Sequence, residues 1–128
     1  MWNILLGHIL GDYFFQTKHM ALNKLENPWV CCVHCLCYTL LLFCVCSPLM
    51  HNQTLLASIG LILLIFVSHF IVDFFSVGQI WLVIIKGRSF LETKDEYDLV
   101  FTAIVSVVVD NTIHICCVAL YLKQIGAI

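Results

Sequence analysis

The sequence predicts an all-α fold: a polytopic membrane bundle of four transmembrane helices plus a short interfacial or re-entrant helix. Composition is the first reason. Of 128 residues, 62% are hydrophobic and only 11% charged, with a mean hydropathy of +1.00. A soluble domain carries about 25% charged residues. So few charges cannot coat a water-facing surface, which leaves the bilayer as the solvent. The second reason is distribution, since the apolar residues fall into long segments separated by short polar loops. The third is spacing. His and Asp recur four residues apart inside those segments, which places each pair on one helix face.

The first segment covers about residues 2–17, near the lower limit of about 17 residues for a membrane helix. The second covers about 29–46 and ends at Ser47-Pro48. The third begins near Thr54 and stays apolar to Ile85, too long for one untilted span of about 20 residues. Gly78 is the expected break. A span over about 54–76 would be followed by an amphipathic or re-entrant piece ending at Lys86. The fourth covers about 97–122. All four belong to one integral membrane domain, 1–128. The N-terminus has no basic region and no small-residue cleavage site, so it does not read as a removable signal peptide.

Charge sets the expected orientation. Lys18 and Lys24 follow the first span, and Lys86, Arg88 and Lys94 follow the third. The 47–53 connection has no basic residue, and Lys123 alone marks the C-terminus. The positive-inside rule therefore puts loops 18–28 and 86–96 in the cytoplasm and both termini outside. Trp2, Trp29 and Trp81 suit interface anchors. Asp95, Glu96 and Asp98, with Glu92 and Lys94, read as a solvated loop and helix start. His19 and His51 read as interfacial.

Several functions are disfavoured. With a net charge of -2 and no basic stripe, nothing is built to grip nucleic acid. The eight cysteines lie within or at the ends of apolar runs, where Cys acts as a small hydrophobe. Cys32-x-x-Cys35 beside His34 is an alternative soft-metal or redox pair. Asn52-Gln53-Thr54 matches a glycosylation sequon, relevant only in a eukaryotic secretory pathway.

The chemistry lies in three pairs: His8-x-x-x-Asp12, His69-x-x-x-Asp73 and, reversed, Asp110-x-x-x-His114. Ionisable residues are costly in a bilayer and face a bundle interior or an aqueous cavity. The first and third segments carry the same His-x-x-x-Asp-aromatic-Phe motif and run in the same direction. That makes a parallel repeat of a two-helix hairpin about an axis along the membrane normal. At about 1.5 Å per residue, Asp73, Asp12 and His34 lie roughly 5–7 Å from the cytoplasmic ends. His69 and His8 lie about 11–14 Å deep and Asp110 about 15–20 Å, with His114 deepest.

Imidazole plus carboxylate is a ligand set for Zn, Mn or Fe. A helix with ligands at i and i+4 can offer both to one ion. His8, Asp12, His69, Asp73, Asp110 and His114 are the candidate ligands. His34 is a further ligand or an acid, Asp110 is alternatively a general base, and Gln16 and Asn111 would orient ligands or substrate. Two facing helices could hold one ion or two, with a bridging water as nucleophile. A proton or ion path and a structural His–Asp glue between helices remain as alternatives. Lys18, Lys24, Lys86 and Arg88 would sit at the rim. There they either set topology, the favoured reading, or steer an anionic headgroup.

Leu6-Gly7-His8-Ile9-Leu10-Gly11-Asp12-Tyr13-Phe14-Phe15-Gln16-Thr17, followed by Asn23-Lys24, resembles the N-terminal signature of an uncharacterised family of small bacterial and phage membrane proteins. His34 ahead of Tyr38-Thr39, then His69 and Asp73, then Asp110-Asn111 and His114 continue the resemblance in order over nearly the whole chain. The many cysteines of the second span depart from the pattern. This resemblance implies a polytopic bundle in the bacterial inner membrane and gives no activity. More distantly, the His/Asp-studded helices are similar to bacterial membrane proteins labelled as metal-dependent hydrolases.

The expected function is therefore metal-dependent hydrolysis of a lipid-like or membrane-bound ester or phosphoester. A transport or ion-conducting module, which would need a homo-oligomer at this size, is one alternative. A structural or host-binding phage protein is the other.

Overall fold

Helix starts are written locally. Thr17, Asn27, Thr54 and Asp95 each turn a side-chain oxygen onto backbone N–H groups of the turn that follows, satisfying donors that a helix start leaves bare. Pro28 adds its fixed φ at the first helical position. The computed structural model, which describes residues 1–87, 90 and 93–128, is all-α. Its helices are α1 (Trp2–Ile9), α2 (Lys18–Asn23), α3 (Pro28–Cys46), α4 (Leu55–Phe74), α5 (Val77–Lys86) and α6 (Glu96–Gln124). A π turn over Leu10–Phe14 extends α1, and a 3-10 turn over Ser47–Met50 extends α3. Arg88 and Glu92 lie outside the described residues.

Three helical stretches are long and apolar enough to cross a membrane: Pro28–Met50, Leu55–Phe74 and Glu96–Gln124, with mean hydropathies of 2.2, 2.6 and 2.0. The first segment is shorter than its expected extent. It is helical only over 2–14, less than the roughly 30 Å of a bilayer core. The physical reason is Thr17, which caps a separate helix, α2, instead of continuing the first.

The long third segment divides at Ser76, where the expected span of about 54–76 ends, and not at Gly78 itself. α4 ends at Phe74, and Ser76 takes the left-handed conformation at φ 51° before α5 begins. Gly78 instead lies inside α5, where a Cβ would stand 3.3 Å from the Asp110 Cβ. Its missing side chain lets α5 lie close on α6.

α1, α3, α4 and α6 close into a ring. α1 packs on α3 and α6, and α4 packs on the same two helices. Gly7 and Gly11 allow the α1–α3 approach: a Cβ on Gly7 would meet Leu42 Cδ1 at 2.5 Å, and one on Gly11 would meet the Tyr38 ring at 2.5 Å. This is the small-xxx-small device of close helix pairs.

The ring has two unlike halves. One is an apolar core around Ile4, Leu42, Cys46, Leu61, Val118 and Leu122. The other holds buried His8, His34, His69, Asp73 and His114. Tyr38 and Ile65 belong to the apolar cluster, and Tyr38 also touches His8 across the divide. Outside the ring, large side chains such as Trp2, Leu55, Leu56, Ile84 and Leu120 are exposed.

Candidate metal centre

Each of the four ring helices sends side chains into the polar half. Two atoms of α3 and α4 define its centre: His34 Nε2 and His69 Nε2 lie 3.0 Å apart. Asp12 Oδ1 is 3.3 Å from both nitrogens. Asp73 Oδ2 is 3.2 Å from His34 Nε2 and 3.3 Å from His69 Nε2. Tetrahedral zinc with bonds of about 2.0 Å has ligand–ligand edges of about 3.3 Å. His34, His69 and Asp73 are thus close enough together to hold one small ion, with Asp12 Oδ1 beside both histidine nitrogens.

Beside this group, His114 Nε2 lies 3.5 Å from Asp73 Oδ1 and 3.4 Å from Asp110 Oδ2. Three sets of side chains have ligand atoms close enough together to hold an ion: Asp12, His69 and His114; His34, His69 and Asp73; and Asp73, Asp110 and His114. Asp12 Oδ1 and His114 Nε2 are buried without a hydrogen-bond partner among the described residues. An unpaired buried polar atom is costly, and a cation would satisfy both.

The first helix meets this cluster differently from the fourth. Asp12 is carried by the π turn, a local widening often found at functional sites. His8, a predicted ligand, is held by two other residues. Its Nε2 lies 3.0 Å from Asn111 Oδ1 and its Nδ1 2.8 Å from the Tyr38 hydroxyl. The Asn111 oxygen can only accept, so Nε2–H donates to it. In the neutral ring, Nδ1 then accepts from Tyr38. Asn111 Nδ2 in turn donates to the Tyr13 hydroxyl at 2.6 Å. His8 lies 3.4 Å from Asp12 Oδ2 and belongs to none of the three sets.

Depth is corrected as well. His114 and Asp110 do not lie below the other residues. They face Asp73, which sits in the last turn of α4, so counting from the start of α6 overstates their depth. His69 is clamped between rings, with Tyr38 at 3.7 Å and 22° on one contact and His114 at 4.0 Å and 29° on another.

Lys24, expected at the rim, reaches in. Its Nζ donates to Asp73 Oδ2 at 2.7 Å. Burial works against its charge, but the Asp73 carboxylate outweighs that and raises the Lys24 pKa. Gln16 ties Lys24 to Asp12, its amide nitrogen donating to the Asp12 backbone carbonyl at 3.0 Å and its oxygen accepting from Lys24 Nζ at 3.2 Å. Lys86 stands over Trp81 at 5.8 Å.

Tyr38 is the residue that a search for His and Asp misses, although it follows His34 by one helical turn and shares its face. The alternative Cys32-x-x-Cys35 pair does not form the thiol contact. Cys31 and Cys35 do, at 3.8 Å, and no cysteine joins the candidate metal sets among the described residues. A cleft of about 230 Å³ leads to the cluster, lined by Asp12, Gln16, Lys24, Asp73, Asp110 and Asn111 among others.

The chain is thus an all-α protein with three helices long and apolar enough to cross a membrane and a buried His/Asp cluster that could hold a metal ion. It belongs to the family described as Protein of unknown function (DUF3307), which it matches over residues 1–127. No curated protein and no solved structure matches it.

Proposed function

We propose that the protein is an integral membrane metal-dependent hydrolase acting on a lipid-like or membrane-associated ester or phosphoester. The observation that carries this reading is the convergence of His34 Nε2, His69 Nε2, Asp12 Oδ1 and Asp73 Oδ2, with the five separations given above between 3.0 and 3.3 Å. The exposed apolar belt supports the bilayer as solvent. In this reading α1 with its π turn is a fourth, short membrane helix. Loops 18–28 and 86–96 face the cytoplasm, in keeping with their basic residues, and the membrane is the bacterial inner membrane.

His34, His69 and Asp73 would hold a divalent ion, with Asp12 Oδ1, 3.3 Å from both histidine nitrogens, as a further donor. Such an ion supplies Lewis acidity and brings the pKa of a coordinated water toward neutrality. Asp110, whose side chain is 29% accessible and lines the cleft, accepts the proton of the attacking water. The water oxygen bonds to the acyl carbon or phosphorus, the ester C–O or P–O bond breaks, and the proton passes to the departing alcohol. Lys24 must leave Asp73 when the ion enters. Released into the cleft beside Gln16, its ammonium is placed to hold an anionic substrate group.

The Lys24–Asp73 pair also favours a second reading, a structural bundle in which lysine itself is the resident cation. Elemental mass spectrometry of detergent-purified protein separates the two. The hydrolase reading expects stoichiometric Zn, Mn or Fe in the wild type and none in an Asp12→Asn/Asp73→Asn variant that remains folded. It also expects lipid phosphoester turnover that a chelator stops. Wild type that stays free of metal after reloading would leave the structural bundle.

A further inference from the structure

Asp73 points its two carboxylate oxygens at two different groups. Oδ2 faces His34 and His69, while Oδ1 faces His114. His114 is 2% exposed, and its Nε2 has no hydrogen-bond partner among the described residues. That nitrogen is aimed at Asp73 Oδ1 and, at 3.4 Å, at Asp110 Oδ2. We infer that Asp73 Oδ1, Asp110 Oδ2 and His114 Nε2 form a second divalent-cation position, so that the Asp73 carboxylate bridges two ions.

This inference rests on the metal reading of the first group and adds a distinct ion to it. The oxygens of one carboxylate, each binding its own ion, suit the separation of about 3.5–4 Å found in two-metal hydrolytic centres. The second position is the more open one, because the Asp110 side chain is 29% accessible against 10% for Asp12. It therefore meets substrate first. Asp110 Oδ1 lies on the Gly78 side, 3.4 Å from where a Cβ would stand, so it stays free for the proton while Oδ2 binds the ion.

The test loads detergent-purified protein with Mn(II), then measures ions per chain and the electron paramagnetic resonance spectrum. Wild type should hold two ions with an exchange-coupled signal. Asp110→Asn and, separately, Asp110→Asn/His114→Ala should hold one ion with an uncoupled signal. The single Asp110→Asn change alters the most accessible carboxylate of the cluster and serves if the double variant does not fold. One ion in the wild type, unchanged in Asp110→Asn, would overturn the second position and leave the first intact. Two ions without coupling would overturn the bridge. No ion in any form would remove both this inference and the reading beneath it.

Discussion

The chain contains His-x-x-x-Asp-aromatic-Phe twice, and the two copies have different fates. In α4, His69 and Asp73 turn together into the cluster, with Nε2 and Oδ2 3.3 Å apart. At the end of α1, only Asp12 does so. His8 is drawn off by Tyr38 and Asn111. Both pairs have the same spacing, so spacing is not the cause. The difference lies in what packs against each. Gly7 and Gly11 bring α1 onto α3, which sets the Tyr38 hydroxyl against His8, and the π turn alters the face on which Asp12 emerges. A repeated motif thus supplies the same residues to both helices, while their neighbours leave His69 in the sets that could hold an ion and His8 outside them.

Removing each histidine in turn tests this division most severely. His69→Ala should abolish stoichiometric metal binding. His8→Ala should keep the stoichiometry and weaken affinity by about 10–100-fold, as loss of an outer-layer partner does. Competitive chelator titration of both variants checks this, and equal loss in the two would make the copies equivalent after all.

Next in size is Gly11→Leu, which drives a side chain into the Tyr38 ring. Overpacking should cost about 1–3 kcal/mol, seen as a lower unfolding midpoint in detergent. Val72 holds the matching place in α4, one residue before the aspartate, and is itself buried. Val72→Leu adds a single methylene there and should lower the midpoint less than Gly11→Leu does. Tyr38→Phe removes only the hydroxyl that holds His8 Nδ1. It should cost about 1 kcal/mol and leave the number of bound ions unchanged.

The smallest effect concerns Lys24. Its pKa is raised by Asp73, so the pair contributes fully below the ordinary lysine value of about 10.4. That contribution is lost as pH rises through the higher folded value. The stability gap between wild type and Lys24→Met should therefore narrow at strongly alkaline pH. Thermal melts across that range check the sign, and a gap that widened would contradict it. At neutral pH the same variant should bind Mn(II) more tightly, because no ammonium competes for Asp73 Oδ2.

Much of the helical plan is legible in the chain. The apolar runs and their polar borders locate α3, α4 and α6 to within about two residues, because caps such as Asn27, Thr54 and Asp95 are local signals. The break between α4 and α5 is legible as well, since the expected span ends at about 76 and the piece that follows it to Lys86 is α5. A glycine signals freedom, yet the residue that takes φ 51° is Ser76, and Gly78 lies inside α5 against α6. The π turn has no readable signal, since a one-residue widening leaves the hydrophobic pattern almost unchanged.

Sequence alone settles the solvent-facing character of the helices and the identities of the polar residues, because hydropathy and i, i+4 spacing are properties of single segments. It thereby puts Asp12, His34, His69, Asp73, Asp110 and His114 on inward faces before any contact is known. Which of them meet is a tertiary matter. The level at which α6 passes α4 joins Asp73 to Asp110 and His114, the close α1–α3 approach sends His8 to Tyr38, and the fold of α2 delivers Lys24 to Asp73. Those outcomes depend on distances between helices, which no periodicity within one helix encodes.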